Sequence, residues 1–98
     1  MPNTKPAIID HNTFEMASNI ASQKAHCDYA LYLGATPNNA ETIVEISPKA
    51  AALKMYLNET FTELTMKNME HWKSHIEVCR FYQFYFLVLE ITLFLLFI

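Results

Sequence analysis

Apolar and polar residues follow different patterns on either side of residue 77. Before it, apolar side chains recur at helical spacing over about 12–25, 36–47 and 65–77, which predicts three amphipathic helices. The runs 28–34 and 51–57 are nearly all apolar and predict buried strands. Strands that alternate with helices at this spacing predict a parallel sheet of the α/β class.

Polar residues at the start of each predicted helix can supply its capping group. Asp10 or Asn12 can cap the first helix and Thr36 the second. Thr65 can cap the third. The apolar face of this third helix is predicted from residues at helical spacing: Met66, Met69, Trp72 and Ile76.

Residues 78–98 break this pattern, and three interpretations of them stay open. Residues 81–98 are nearly all apolar and approach the roughly 20 residues of a membrane-spanning helix. One prediction is therefore a hydrophobic C-terminal helix with Arg80 on its cytosolic side, although Glu90 opposes insertion by about 2.5–3.5 kcal/mol. The abrupt change at Val78, whose codon begins with the GT of a splice donor, favours the hypothesis of translated intron. A buried globular segment is the third interpretation.

Composition narrows the classes of function. The single glycine excludes Gly-rich phosphate-binding loops, and seven thinly spread basic residues with a net charge of -3 give no reason to expect a nucleic-acid partner. Two distant cysteines, Cys27 and Cys79, form neither a disulfide framework nor a CxxC zinc site. We expect Cys27 to be buried as a small hydrophobe. Residues 1–24 lack the apolar core of a signal peptide.

Lys54 is the first candidate for chemistry, because it interrupts an apolar predicted strand. Burial lowers the pKa of a lysine, and a neutral amine can take up carbon dioxide as a carbamate, an anion able to bridge two metal ions. A lysine that reaches solvent along its aliphatic stem is the alternative. The loop from Asn58 to Phe61 follows the same strand, where parallel α/β folds meet ligands, although an ordinary connecting loop fits equally.

The histidines give weaker signals. His71 and His75 are four residues apart, a spacing that can chelate zinc, but a solvent-facing pair is the commoner arrangement and the one we expect. His11 and His26 lie at predicted helix ends, where we expect surface placement.

Three stretches of the chain resemble the dihydroorotase family of the amidohydrolase superfamily. They are MPNTKPAIID at 1–10, CDYALYLGA at 27–35 and LKMYLNETF at 53–61. They occur in the family's order and at family-like spacing, and the resemblance extends over residues 1–77. It is closest to the dihydroorotase domains of animal multifunctional proteins that begin pyrimidine synthesis.

The resemblance implies a fold, a reaction and roles for particular residues. The family fold is a (β/α)8 TIM barrel, of which residues 1–77 would form about three βα units. The reaction is the reversible cyclisation of N-carbamoyl-L-aspartate to L-dihydroorotate at two zinc ions. Lys54 matches the carboxylated lysine that bridges the metals, Asn3 matches an asparagine that holds the substrate carboxylate, and Thr60 and Phe61 match a mobile loop that closes over the substrate. The family is cytoplasmic, and its parent proteins are oligomeric.

The chain also departs from the family pattern. The family's His-x-His pair upstream, and its later histidine ligands and catalytic aspartate, have no counterpart among the 98 residues. We therefore expect an incomplete catalytic set, no retention of zinc by this chain alone and no turnover. The principal prediction is an inactive fragment of a zinc-dependent dihydroorotase. The alternative is a non-catalytic, single-pass membrane protein with an enzyme-derived cytosolic segment that associates with membranes through 81–98.

Overall fold

The computed structural model describes residues 4–56, 64–66 and 68–81, and the backbone of 86–89. The elements in these ranges are, in chain order, α1 (His11–Lys24), β1 (Tyr32–Gly34), α2 (Thr42–Ile46), a 3-10 turn (Ser47–Lys49), β2 (Ala52–Tyr56), α3 (Met69–Phe81) and β3 (Phe86–Leu89).

The described strands form one parallel sheet in the order β1-β2-β3, so the predicted α/β class is confirmed. Tyr32 pairs with Ala52 and Gly34 with Lys54 between the first two strands. β1 begins later than the predicted 28–34, because residues 28–30 are exposed and lie outside the ladder. β2 matches the predicted run 51–57 within one residue at each end.

Asp10 caps α1, which settles the choice between Asp10 and Asn12. Its Oδ1 accepts a hydrogen bond from the Thr13 backbone N–H at 2.8 Å, and Thr13 Oγ1 accepts one from the Asp10 N–H at 3.1 Å. This reciprocal capping box satisfies two donors at the helix start. Glu15 takes no part in the cap and pairs with Lys49 at 3.1 Å on the surface.

The helices pack on one face of the sheet. Leu33, Leu53 and Met55 point to this face and are fully buried. They form one cluster with side chains from all three helices: Phe14, Ile43, Ile46 and Cys79. Because side chains alternate along a strand, the opposite face carries Tyr32, Gly34, Lys54 and Tyr56. Tyr32 is 42% exposed there.

The predicted apolar face of the third helix is confirmed only in part. Trp72 packs against the core, and Met66 is buried in it just before the helix begins. α3 begins at Met69, and Asn68 Oδ1 accepts a hydrogen bond from the Glu70 N–H at 2.9 Å. His75 and Cys79 face the core, whereas Met69 is 72% and Ile76 42% exposed. Thr65 forms a parallel bridge with Tyr56 and does not cap the helix.

The predicted C-terminal helix is also wrong where the structure describes the tail. α3 continues past residue 77 to Phe81, and Phe86–Leu89 form β3, which pairs in parallel with β2. A short apolar run fits a buried strand as well as a helix, and here it satisfies the outer edge of β2. In the ranges that the structure describes, no helix is long and apolar enough to cross a membrane. The division at 77/78 and the intron hypothesis stay predictions.

Candidate site at the carboxyl edge of the sheet

The candidate site lies at one edge of the sheet, where Gly34 pairs with Lys54. Parallel strands end at the same edge, and each of these residues lies at or near the end of its strand. The Ala35 N–H donates to the Lys54 carbonyl at 2.9 Å, which extends the ladder one residue beyond β1. In parallel α/β folds this edge is where ligands bind.

Lys54 is half-buried on the face of the sheet that the helices leave open. Its Nζ lies 5.3 Å from the centre of the Tyr56 ring, two residues along the same strand, which is within the range of a cation–π contact. Leu53 and Met55 on either side of it are fully buried against the helices. The Lys54 side chain is therefore half-buried beside the Tyr56 ring and points away from the helices.

Gly34 leaves room beside Lys54. Its φ is not positive, so no turn requires a glycine there. Residues in register on parallel strands are about 4.8 Å apart and point to the same face, so a side chain at position 34 would stand against the base of the Lys54 side chain. The Gly34 N–H also donates to Ile8 O at 2.7 Å, on the side away from β2.

Asn39 holds the loop that follows β1 through hydrogen bonds to the backbone. No pattern in the sequence predicts these bonds. Its Nδ2 donates to Gly34 O at 2.9 Å and to Ile9 O at 2.8 Å. Its Oδ1 accepts from the Thr36 N–H at 2.8 Å. The predicted helix start at Thr36 is wrong, because residues 37–38 form a turn and α2 begins at Thr42. Asparagine side chains hydrogen-bond nearby backbone in such turns, as Asn39 does here.

His75 is fully buried, which corrects the prediction of a solvent-facing pair. Its Nε2 lies 2.7 Å from the Thr36 carbonyl oxygen; a carbonyl only accepts, so Nε2 carries the proton. Burial lowers the pKa of His75, the hydrogen bond opposes this shift, and nearby His71 adds to it. The Nδ1 atoms of both histidines are buried without a hydrogen-bond partner in the part of the chain that the structure describes.

The cysteines also differ from expectation. Cys27 is exposed, because β1 starts five residues beyond it, so the prediction that it is buried is wrong. Cys79 is buried, and burial raises the pKa of its thiol to about 11. His11 and His26 are exposed as predicted.

Of the four site residues inferred from the resemblance, the structure describes Lys54 alone. Asn3, Thr60 and Phe61 lie outside the described residues. The structure adds Gly34, Asn39 and His75 to the edge near Lys54, and the sequence had indicated none of them as part of this site.

The described residues do not fit a centre for two zinc ions. No group of three or more histidine, cysteine or acidic side chains within the described ranges could hold a metal ion. The predicted chelating spacing of His71 and His75 leads to no such group, because no third histidine, cysteine or acidic side chain within the described ranges joins the pair. Lys54 is the one described residue that the resemblance assigns to the metals.

In comparisons with known proteins, the chain is similar in sequence to short segments of much longer proteins. It is 49% identical over 77 residues to "Multifunctional protein CAD" of Squalus acanthias. The matched segment covers 79% of this chain and 3% of that protein. It is 44% identical over 77 residues to "Multifunctional protein pyr1-3" of Dictyostelium discoideum. Here the matched segment covers 78% of this chain and 4% of that protein. The chain thus spans a few per cent of the length of these relatives. No protein-family model matches it.

Proposed function

Since the chain belongs, over 77 residues, with the multifunctional pyrimidine-synthesis proteins, we propose that it is part of a dihydroorotase domain. In such a domain it would contribute to the zinc-dependent cyclisation of N-carbamoyl-L-aspartate to L-dihydroorotate. The observation that carries the proposal is the position of Lys54: half-buried, at the carboxyl edge of a parallel sheet, opposite the chain's single glycine.

The arrangement of helices supports a barrel as the parent fold. The strand order follows the chain order, and α1, α2 and α3 pack on the same face of the sheet. A doubly wound sheet places helices on both faces, whereas a (β/α)8 barrel places all of them outside and leaves the inner face to the site. In such a barrel Lys54 would lie on the inner face.

The chemical step of this proposal is carboxylation of Lys54. A neutral amine adds to carbon dioxide, forms a C–N bond and releases one proton to leave a carbamate. The two carbamate oxygens would extend from the end of β2 toward the open edge, and oxygen anions are donors that zinc accepts. Because the described residues supply no further group of metal ligands, we expect the isolated chain neither to retain zinc nor to turn over substrate.

The roles of Asn3, Thr60 and Phe61 in substrate binding belong to the same proposal and rest on the resemblance. Thr60 and Phe61 follow the end of β2 by four and five residues in the chain, which is compatible with a loop at the edge that carries Lys54. The cytoplasmic location and the oligomeric parent also stay predictions.

A chimera tests the proposal. The matched 77-residue segment of the Squalus acanthias protein is replaced by its counterpart from this chain, and dihydroorotase turnover is measured. We expect turnover in the chimera and a loss of about 100-fold or more when Lys54→Ala is introduced. Lys49→Ala is the matched control, because Lys49 is an exposed lysine of the same segment. An inactive chimera that folds, or equal activity of the two variants, would contradict the proposal.

A further inference from the structure

We propose that Asn39 and His75 are positioning residues, which hold the loop after β1 in place and thereby set the access of solutes to Lys54. The inference rests on the proposed function only in taking Lys54 as the reacting group. Neither residue is close to Lys54 in the sequence, and nothing in the resemblance assigns a role to either.

The two side chains hold a single residue of the backbone from two directions. The Thr36 N–H donates to Asn39 Oδ1 at 2.8 Å, and the Thr36 carbonyl accepts from His75 Nε2 at 2.7 Å. Thr36, Asn39 and His75 are all buried. Thr36 follows Gly34 by two residues, so the residue that is held lies just beyond the position opposite Lys54.

Asn39 ties the loop to two other segments of the same edge. Its amide donates to the Gly34 carbonyl and to the Ile9 carbonyl, so both donor hydrogens and the acceptor oxygen are used. No aspartate could reproduce this set, because a carboxylate has no donors for the two carbonyls. The segment before α1, the end of β1 and the loop after it are thus joined by one side chain.

His75 of α3 adds a hydrogen bond to this loop from an element far along the chain. Thirty-nine positions separate it from Thr36, and the bond crosses from the helix layer to the end of β1. Removing either side chain would leave a buried peptide group of Thr36 without a partner, which is costly unless the loop moves toward water. Such a movement would widen the space beside Gly34, where the base of the Lys54 side chain lies.

The reactivity of Lys54 measures this effect without zinc or substrate. Cyanic acid adds across an N–H bond of a neutral amine to give carbamoyl-lysine, with no leaving group. Peptide mass spectrometry of the 98-residue chain gives the initial rate at Lys54 relative to that at exposed Lys49. We expect the ratio to rise severalfold in Asn39→Ala and in His75→Asn, whose shorter amide cannot reach Thr36.

Matched variants separate positioning from general loss of stability. His75→Gln, whose amide can still donate to the Thr36 carbonyl, is expected to keep the wild-type ratio. Asn38→Ala, at an exposed neighbour of the same type, and Ile46→Val, which weakens the core elsewhere, should also keep it. If Asn39→Ala fails to fold, the milder Asn39→Asp takes its place and should raise the ratio.

The inference is overturned if the ratio stays at the wild-type value in both the Asn39 and the His75→Asn variants, or rises equally in Ile46→Val. This outcome is distinguishable from failure of the proposed function. A folded but inactive chimera would contradict the dihydroorotase assignment even where the cyanate ratio changes, and an unchanged ratio would contradict the positioning role even where the chimera is active.

Discussion

Gly34 of β1 lies directly opposite Lys54 of β2, and the two point to the face of the sheet that the helices leave open. The glycine is not needed for backbone geometry, since its φ is not positive. Its lack of a side chain leaves lateral space for the lysine. Gly34, which the sequence indicates only as the end of a predicted strand, is therefore part of the surroundings of the candidate site.

Gly34→Val is expected to destabilise the chain by about 1–3 kcal/mol, because the new side chain overpacks the space beside Lys54. Urea unfolding of the 98-residue chain checks this value, and the cyanate reactivity of Lys54 should fall in the same variant. Ala30→Val, at an exposed position before β1, is the control and should change stability by less than about 0.5 kcal/mol. Equal unfolding midpoints for the two variants would contradict the prediction, because position 34 would then accommodate a side chain beside Lys54 without overpacking.

Lys54→Met is expected to cost no more than about 1 kcal/mol of stability, roughly the worth of a cation–π contact such as that with Tyr56. The neighbouring Leu53→Ala should cost about 2–5 kcal/mol, because Leu53 is fully buried in the core. Urea unfolding compares the two. A loss at Lys54 as large as that at Leu53 would assign the lysine to stability and weaken its assignment to chemistry.

Acid should destabilise the fold through His75. Burial lowers the pKa of this residue below its ordinary value of 6.5, so below that pH the unfolded chain takes up a proton that the folded chain resists. The free energy of unfolding should therefore fall as the pH drops below 6.5. His75→Gln should reduce this slope, and Asn38→Ala, at an exposed site without a titratable side chain, should leave it unchanged. Identical slopes in all three proteins would exclude His75 as the source.

Asp10→Ala should destabilise the chain by about 1 kcal/mol, because it removes the cap of α1. Hydrogen bonds from Thr13 lower the pKa of Asp10 below 3.8, so the contribution of its carboxylate is present above that pH and is lost as the pH falls through the lowered pKa. Urea midpoints at neutral pH, with Asp28→Ala as an exposed control, measure the cap. Equal midpoints would show that the cap adds nothing.

Local patterns in the sequence were sufficient to predict α1, the second strand and the parallel class. α1 has a capping residue and helical spacing, and β2 is an uninterrupted apolar run apart from Lys54. Both signals arise within a few neighbouring residues, so they are visible in the sequence itself. Lys54 became a candidate for the same reason, since a charge inside an apolar run is a local anomaly, whereas the role proposed for it rests on the resemblance.

The features that were missed depend on contacts between distant segments. His75 can be buried because the carbonyl of Thr36 accepts a hydrogen bond from its Nε2–H, and no local pattern indicates that bond. The same holds for the bond of Asn39 to Ile9. Phe86–Leu89 are apolar enough for a helix or a strand, and the edge of β2 decides between them.

Carbon-13 NMR of the chimera, equilibrated with carbon-13 bicarbonate, tests most directly whether Lys54 is the carboxylated lysine of a dihydroorotase domain. We predict a slowly exchanging lysine carbamate signal that is absent from Lys54→Met and unchanged in Lys49→Met. A folded chimera that shows no such signal, or a signal that survives Lys54→Met, would contradict the assignment.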